Sequence, residues 1–168
     1  LFIKMKNFNT IIGHEIAEAA KWLQEGELVA IPTETVYGLA GNALNEDAVL
    51  KIFQAKERPQ FNPLIIHLPL WAMVEKYVEE IPEDAKKLAN AFSPGPITFL
   101  LKKKSIISDL VTAGSSKVAV RIPGNPLTLA LLQAIDFPLA APSANRFGYV
   151  SPVTAIHVFE GLQNRIPY

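Results

Sequence analysis

Lys56-Glu57-Arg58-Pro59-Gln60-Phe61-Asn62-Pro63-Leu64-Ile65-Ile66-His67 sets two cations two residues apart, then two prolines, then an apolar run that ends in a histidine. Upstream, Asn45 is placed to cap a helix from Glu46 to Lys56, with acids in its first turn and Val49, Ile52 and Phe53 facing inward. Downstream, Leu64 to Leu68 has the length and continuous apolarity of a buried strand. Helix, proline-braced loop and buried strand together point to an α/β protein. The arrangement also brings Lys56 and Arg58 to the entrance of a sheet strand. A point charge beside a planar fork of donors suits a phosphate; a solvated helix end with ordinary C-terminal cations is the other reading.

Working outward, Ile12, Ile16, Ala19, Ala20 and Leu23 repeat at helical spacing, with Asn9 or Thr10 as cap and Gly26 as stop. Leu28 to Ile31 reads as a buried strand ending at Pro32. The hydroxyl-rich Thr33-Glu34-Thr35-Val36-Tyr37-Gly38-Leu39-Ala40-Gly41 that follows is either a second strand or a ligand loop at the end of the first. Helices are predicted over Leu70 to Glu79 and Glu83 to Phe92. Ser93-Pro94-Gly95-Pro96 turns the chain into a strand over Ile97 to Leu101, closed by Lys102, Lys103 and Lys104. Those lysines either track a phosphate backbone or keep a strand end solvated.

Val118 to Ile122 is a further strand, in which Ala119 and Arg121 share one face. Arg121 there needs an anionic partner, because an unpaired buried guanidinium is costly; a structural Asp or Glu and a ligand carboxylate both satisfy that need. His67 is either a hydrogen-bonded core histidine or a ligand contact. A helix is predicted from Pro126 to about Ile135. The small residues of Pro138-Leu139-Ala140-Ala141-Pro142-Ser143-Ala144-Asn145 form either a tight loop or a floor on which a ligand meets the main chain. Thr154 starts a last helix through Phe159.

Composition bounds the function. The chain has 168 residues, is 49% hydrophobic, and carries 16 basic and 16 acidic side chains. That supports one core and a single domain, with no global field toward nucleic acid or an anionic membrane. Cysteine is absent, which removes thiolate chemistry and disulfides. No apolar run reaches bilayer length and the N-terminus has no signal-peptide pattern, so a soluble, cytoplasmic protein without a membrane partner is expected. P-loop, dinucleotide and G-x-S-x-G motifs are missing, and His14, His67 and His157 lack metal-ligand spacing, so no metal site is expected.

Five motifs occur in one order: Pro32-Thr33-Glu34-Thr35-Val36-Tyr37-Gly38-Leu39, Lys56-x-Arg58-Pro59-x-x-Asn62-Pro63-Leu64, Ser93-Pro94-Gly95-Pro96-x-Thr98, Val120-Arg121-x-Pro123, and Pro142-Ser143-Ala144-Asn145. In this the chain resembles the YrdC-like family, the threonylcarbamoyl-AMP synthases. The resemblance implies a twisted mixed sheet with flanking helices around a positively charged cavity. It implies L-threonine, bicarbonate and ATP as substrates, with Mg2+ accompanying ATP and no tightly bound cofactor. Transfer proteins would then carry the threonylcarbamoyl group to tRNA. By the same resemblance Thr35, His67, Arg121 and the Ala141 backbone would hold threonine. Lys56, Arg58, Asn62, Lys117, Ser143, Asn145 and Ser151 would surround ATP, with Lys56 and Arg58 at the phosphates as the catalytic cations. Phe147 and Asn125 stand where the family often has serine and histidine. Residues 1–168 would form one YrdC-like domain, incomplete at its C-terminal end relative to the family. The rival readings are an RNA-binding module without catalysis and a carbamoyl-transfer domain.

Overall fold

The computed structural model describes residues 8–168. Six strands form one mixed sheet: β1 (Val29–Ile31), β2 (Gly38–Asn42), β3 (Ile65–His67), β4 (Phe99–Lys102), β5 (Lys117–Arg121) and β6 (Leu139–Ala140), in the spatial order β1-β2-β6-β3-β5-β4. β3 and β5 run parallel; every other neighbouring pair is antiparallel. The helices are α1 (Ile16–Gln24), α2 (Glu46–Lys56), α3 (Glu83–Phe92), α4 (Asp109–Thr112), α5 (Pro126–Gln133) and α6 (Ala155–Leu162). The α/β expectation of a mixed sheet with flanking helices therefore holds.

Strand alternation sorts the core into two layers. Leu39, Ile66, Val118, Val120 and Ala140 enter one cluster, with Val49, Ile52 and Phe53 of α2. Val29, Ile31, Ala40, Leu139 and Ala141 enter the other, with Ala19, Ala20 and Leu23 of α1 and Leu131 and Leu132 of α5. Successive strand residues point to opposite faces, so these clusters are the two sides of the sheet. The second layer is short. Over β3, β5 and β4 the same face carries half-buried Ile65 and Ala119 and a Leu100 that is 62% exposed. That uncovered half is where a site can form.

Several boundaries differ from the sequence reading, each for a local reason. α1 starts at Ile16 rather than near Ile12, because the Glu15 amide is held by the Tyr168 hydroxyl at 2.9 Å and Gly13 packs under that ring. Thr10 caps nothing: its hydroxyl donates to the Ile166 carbonyl and accepts from the Asn164 amide. Asn9 does not cap α1 either, since its N-cap position is Glu15. The stretch from Leu70 to Glu79 yields only a 3-10 helix over Trp71–Lys76, after which Val78 pairs with Lys103. The fourth strand begins at Phe99, not Ile97, and α5 stops at Gln133. Asn45 caps α2 as expected, accepting from the amides of Asp47 and Ala48, and Asn125 does the same for α5. Among the described residues no helix is long and apolar enough to cross a membrane.

Candidate functional site

Parallel register places the first group. His67 pairs with Arg121 and Ile65 with Ala119, so His67 and Arg121 project from the same face at the ends of β3 and β5. Ala141 follows β6 alongside, its amide donating to the Ile65 carbonyl at 3.0 Å. The loop between β1 and β2 closes over them. Thr33 folds that loop by donating to the Val36 carbonyl at 2.6 Å while accepting from the amides of Thr35 and Val36, a turn built from one hydroxyl. Thr35 thereby reaches Arg121, with Nη1 and Nη2 each 3.3 Å from its Oγ1.

The anionic partner that Arg121 requires is Glu34, whose Oε1 lies 2.9 Å from Nη2. Arg121 also donates from Nε to the Gly95 carbonyl at 3.3 Å. Burial alone would raise the Glu34 carboxyl, but the Arg121 hydrogen bond, the backbone amides of Glu34 and Gly124 and the Arg121 charge together hold it below the usual carboxylate range. His67 is 3% exposed, and burial, helped by the Arg121 charge, pushes its imidazole down to about 4. It is therefore neutral at physiological pH, and its Nδ1 has no hydrogen-bond partner among the described residues.

A second group forms around Lys56. The last residue of α2, it is 1% exposed and spans to the loop after β6, where Nζ donates to the carbonyls of Ser143 and Asn145, both at 2.5 Å. Among the described residues neither Lys56 nor Arg58 is ion-paired. Burial, with a smaller contribution from the Arg58 charge, brings the Lys56 ammonium down to about 8. Arg58 is pulled below its ordinary range by burial, donates to the Pro63 carbonyl at 3.2 Å, and leaves a buried Nε without a partner among the described residues. Asn145 turns its amide nitrogen to the carbonyls of Arg146 and Tyr149, and its Oδ1 has no hydrogen-bond partner among the described residues. A buried Lys56 and a half-buried Arg58, neither with a carboxylate partner among the described residues, carry a desolvation penalty that an incoming anion would relieve.

The segment from Leu139 to Asn145 joins the two groups, since Ala141 lies beside β3 and Ser143 bridges Gly38. Ser151 is half-buried next to Pro152, whose carbonyl accepts from the Tyr37 amide at 2.8 Å. Asn62 is half-buried in the loop after α2, its side chain without a hydrogen bond to another described group. Lys117 sits exposed at the start of β5, on the Arg121 face but four residues from it. Of the three consecutive lysines, Lys103 pairs with Asp109 at 2.9 Å and Lys104 donates to the Glu75 carbonyl, so two of them brace loops.

Sequence reasoning passed over two residues. Glu34 was quoted within its motif without a role, although the demand of Arg121 for an anion was the signal that could have found it. Glu57 was the other. In the left-handed conformation that ends α2, it pairs with Arg146 at 2.5 Å and Arg165 at 2.8 Å and so ties the Asn145 loop to the helix end. Nothing in the local sequence announces that pairing.

The family model Sua5/YciO/YrdC, described as telomere recombination, matches residues 21–168. A threonylcarbamoyl-AMP synthase of Pyrococcus abyssi is 48% identical over 152 residues, covering 90% of this chain and 45% of its own length. One from Bacillus subtilis is 50% identical over 153 residues, covering 90% and 44%. The crystal structure of P. abyssi Sua5 complexed with L-threonine superposes with a TM-score of 0.89 at 45% identity, over 98% of this chain and 48% of that one. The chain spans a little under half the length of these relatives.

Proposed function

The chain belongs to the Sua5/YciO/YrdC family, and from that membership we propose that it makes threonylcarbamoyl-AMP and pyrophosphate from L-threonine, bicarbonate and ATP, as a nucleotidyltransferase-type synthase. The observation that carries the reading is the juxtaposition of a carboxylate-paired arginine and an unpaired buried lysine through one short segment, Leu139 to Asn145. Threonine's carboxylate would lie on Arg121 and Thr35, with neutral His67 and the Ala141 backbone beside it. The amine, having lost a proton, would attack carbon dioxide derived from bicarbonate to give a carbamate. A carbamate oxygen would then attack the α-phosphorus of ATP as pyrophosphate leaves.

No side-chain nucleophile is required; positioning and cationic stabilisation of the phosphates carry the rate. Lys56 and Arg58 would face the phosphates, with Asn62, Lys117, Ser143, Asn145 and Ser151 around the nucleotide. Among the described residues no group of three or more His, Cys, Asp or Glu is placed to hold a metal. Mg2+ would accompany ATP as part of the substrate. Transfer proteins would pass the threonylcarbamoyl group to tRNA adenosine beside the anticodon.

The test is pyrophosphate release from ATP and bicarbonate with L-threonine, serine or carbamoyl phosphate as third reactant. Release that depends on L-threonine and is weaker with serine supports the reading. Release driven by carbamoyl phosphate without threonine overturns it in favour of a carbamoyl-transfer domain. A steeply salt-dependent RNA affinity with no threonine-dependent ATP use overturns it in favour of an RNA-binding module.

A further inference from the structure

Arg121 meets its surroundings along two edges that differ in quality. On one, Nε and Nη2 are taken by the Gly95 carbonyl at 3.3 Å and by Glu34 at 2.9 Å. On the other, Nη1 and Nη2 share the single Thr35 hydroxyl oxygen at 3.3 Å, well beyond the 2.7–2.9 Å typical of charge-assisted bonds. A carboxylate offers two oxygens to such an edge, so the loosely held side is the better seat for one. Glu34 is then left in place when that seat fills. Arg121 and the backbone amides of Glu34 and Gly124 engage three of the roughly four acceptor positions of its carboxylate, which leaves one for a further donor. The Glu34 side chain is 23% exposed against 11% for Arg121, so its carboxylate is not sealed from solvent.

Taken together, Arg121, Glu34 and a neutral His67 carry no net charge but a strong local dipole. A plain anion gains from Arg121 and is repelled by Glu34. A zwitterionic α-amino acid, with ammonium and carboxylate separated by one carbon, complements both ends. We propose that Glu34 receives the α-ammonium group of the amino-acid substrate and so makes the Arg121 corner selective for a zwitterion over a simple carboxylate. This rests on the reading of that corner as the threonine subsite. Like-charge juxtaposition rejects wrong ligands more effectively than extra attraction selects right ones. Among the described residues no carboxylate pairs with Lys56, so ATP and plain anions are steered to that corner.

The test is calorimetric titration of L-threonine and of 3-hydroxybutyrate, which lacks the amino group, into the wild-type chain, Glu34→Gln and Glu34→Asp. The wild type is expected to favour threonine by at least about 30-fold. In Glu34→Gln, threonine affinity falls at least about tenfold while 3-hydroxybutyrate is unchanged or tighter, so the ratio collapses to within about threefold. Glu34→Asp, which keeps the charge, recovers part of the ratio, and thermal melts confirm that both variants are folded. A parallel loss of both ligands, leaving the ratio intact, overturns the proposal and reduces Glu34 to orienting Arg121. Failure of the wild type to bind threonine at all instead overturns the reading on which the proposal rests.

Discussion

Arg121 and Lys56 are both buried cations at the end of a regular element, one closing β5 and the other closing α2, and both touch backbone carbonyls. Arg121 has a carboxylate at 2.9 Å, whereas Lys56 has two carbonyl oxygens and, among the described residues, no ion pair. The difference separates two kinds of site. A cation compensated by a carboxylate presents a dipole, which suits a small zwitterion. An uncompensated one pays its desolvation with a lowered pKa, to about 8, and has the most to gain from an arriving polyanion. Residue type alone would have made the two look interchangeable.

The largest effect that can break this comparison is on catalysis. Lys56→Met retains the apolar stem and removes the charge; pyrophosphate release should fall about 10²–10³-fold while threonine affinity stays within about twofold. Wild-type release in that variant would erase the distinction. Next comes Arg121→Ala, for which titration should show threonine affinity reduced about 100-fold and nucleotide affinity within about threefold. A loss of both ligands would mean that the corners are not separable.

The third effect is in pH and has two signs. Unfolded, the Lys56 amine titrates near 10.5, and folded near 8, so between those values the unfolded chain binds more protons. Folding stability therefore rises with pH across that window. Affinity for a non-hydrolysable ATP analogue moves the other way, falling about tenfold from pH 7 to pH 9 as the ammonium is lost, and Lys56→Met should be flat over the same range. Smaller still is Glu57→Gln, which loosens the ties to Arg146 and Arg165 at the surface; pyrophosphate release should stay within about twofold to threefold of wild type. The smallest sharpens the Arg121 side: with His67 titrating near 4, threonine affinity should be level from pH 5.5 to pH 7.5. A step near pH 6.5 would show the imidazole open to protonation.

The sheet was legible where its strands are short apolar runs, continuous over Leu28 to Ile31 and Leu64 to Leu68 and alternating over Val118 to Ile122. Ile66, Val118 and Val120 fall on one face and His67 and Arg121 on the other, as alternation requires. The cap at Asn45 illustrates a second readable layer, since an Asn ahead of a helix acts within three residues; Asn125 caps α5 in the same way, a role the sequence reading did not give it. What sequence could not supply came from distant chain. The start of α1 is decided by Tyr168, 153 residues from the amide that its hydroxyl accepts from. Glu57 pairs with Arg146 and Arg165 only because the chain after β6 returns to the end of α2. The two-residue β6 carries too few residues to show any period, and Leu139 and Ala140 read as loop until their neighbours β2 and β3 are in place. Within the candidate site, the cations were evident from their type, but which one has a carboxylate was not.

The most direct test is a crossed titration of L-threonine and a non-hydrolysable ATP analogue into the wild-type chain, Lys56→Met and Arg121→Ala. The account predicts a reciprocal pattern: the lysine variant loses the nucleotide and keeps threonine, and the arginine variant loses threonine and keeps the nucleotide. Equal losses of both ligands in each variant, or no loss in either, would contradict it.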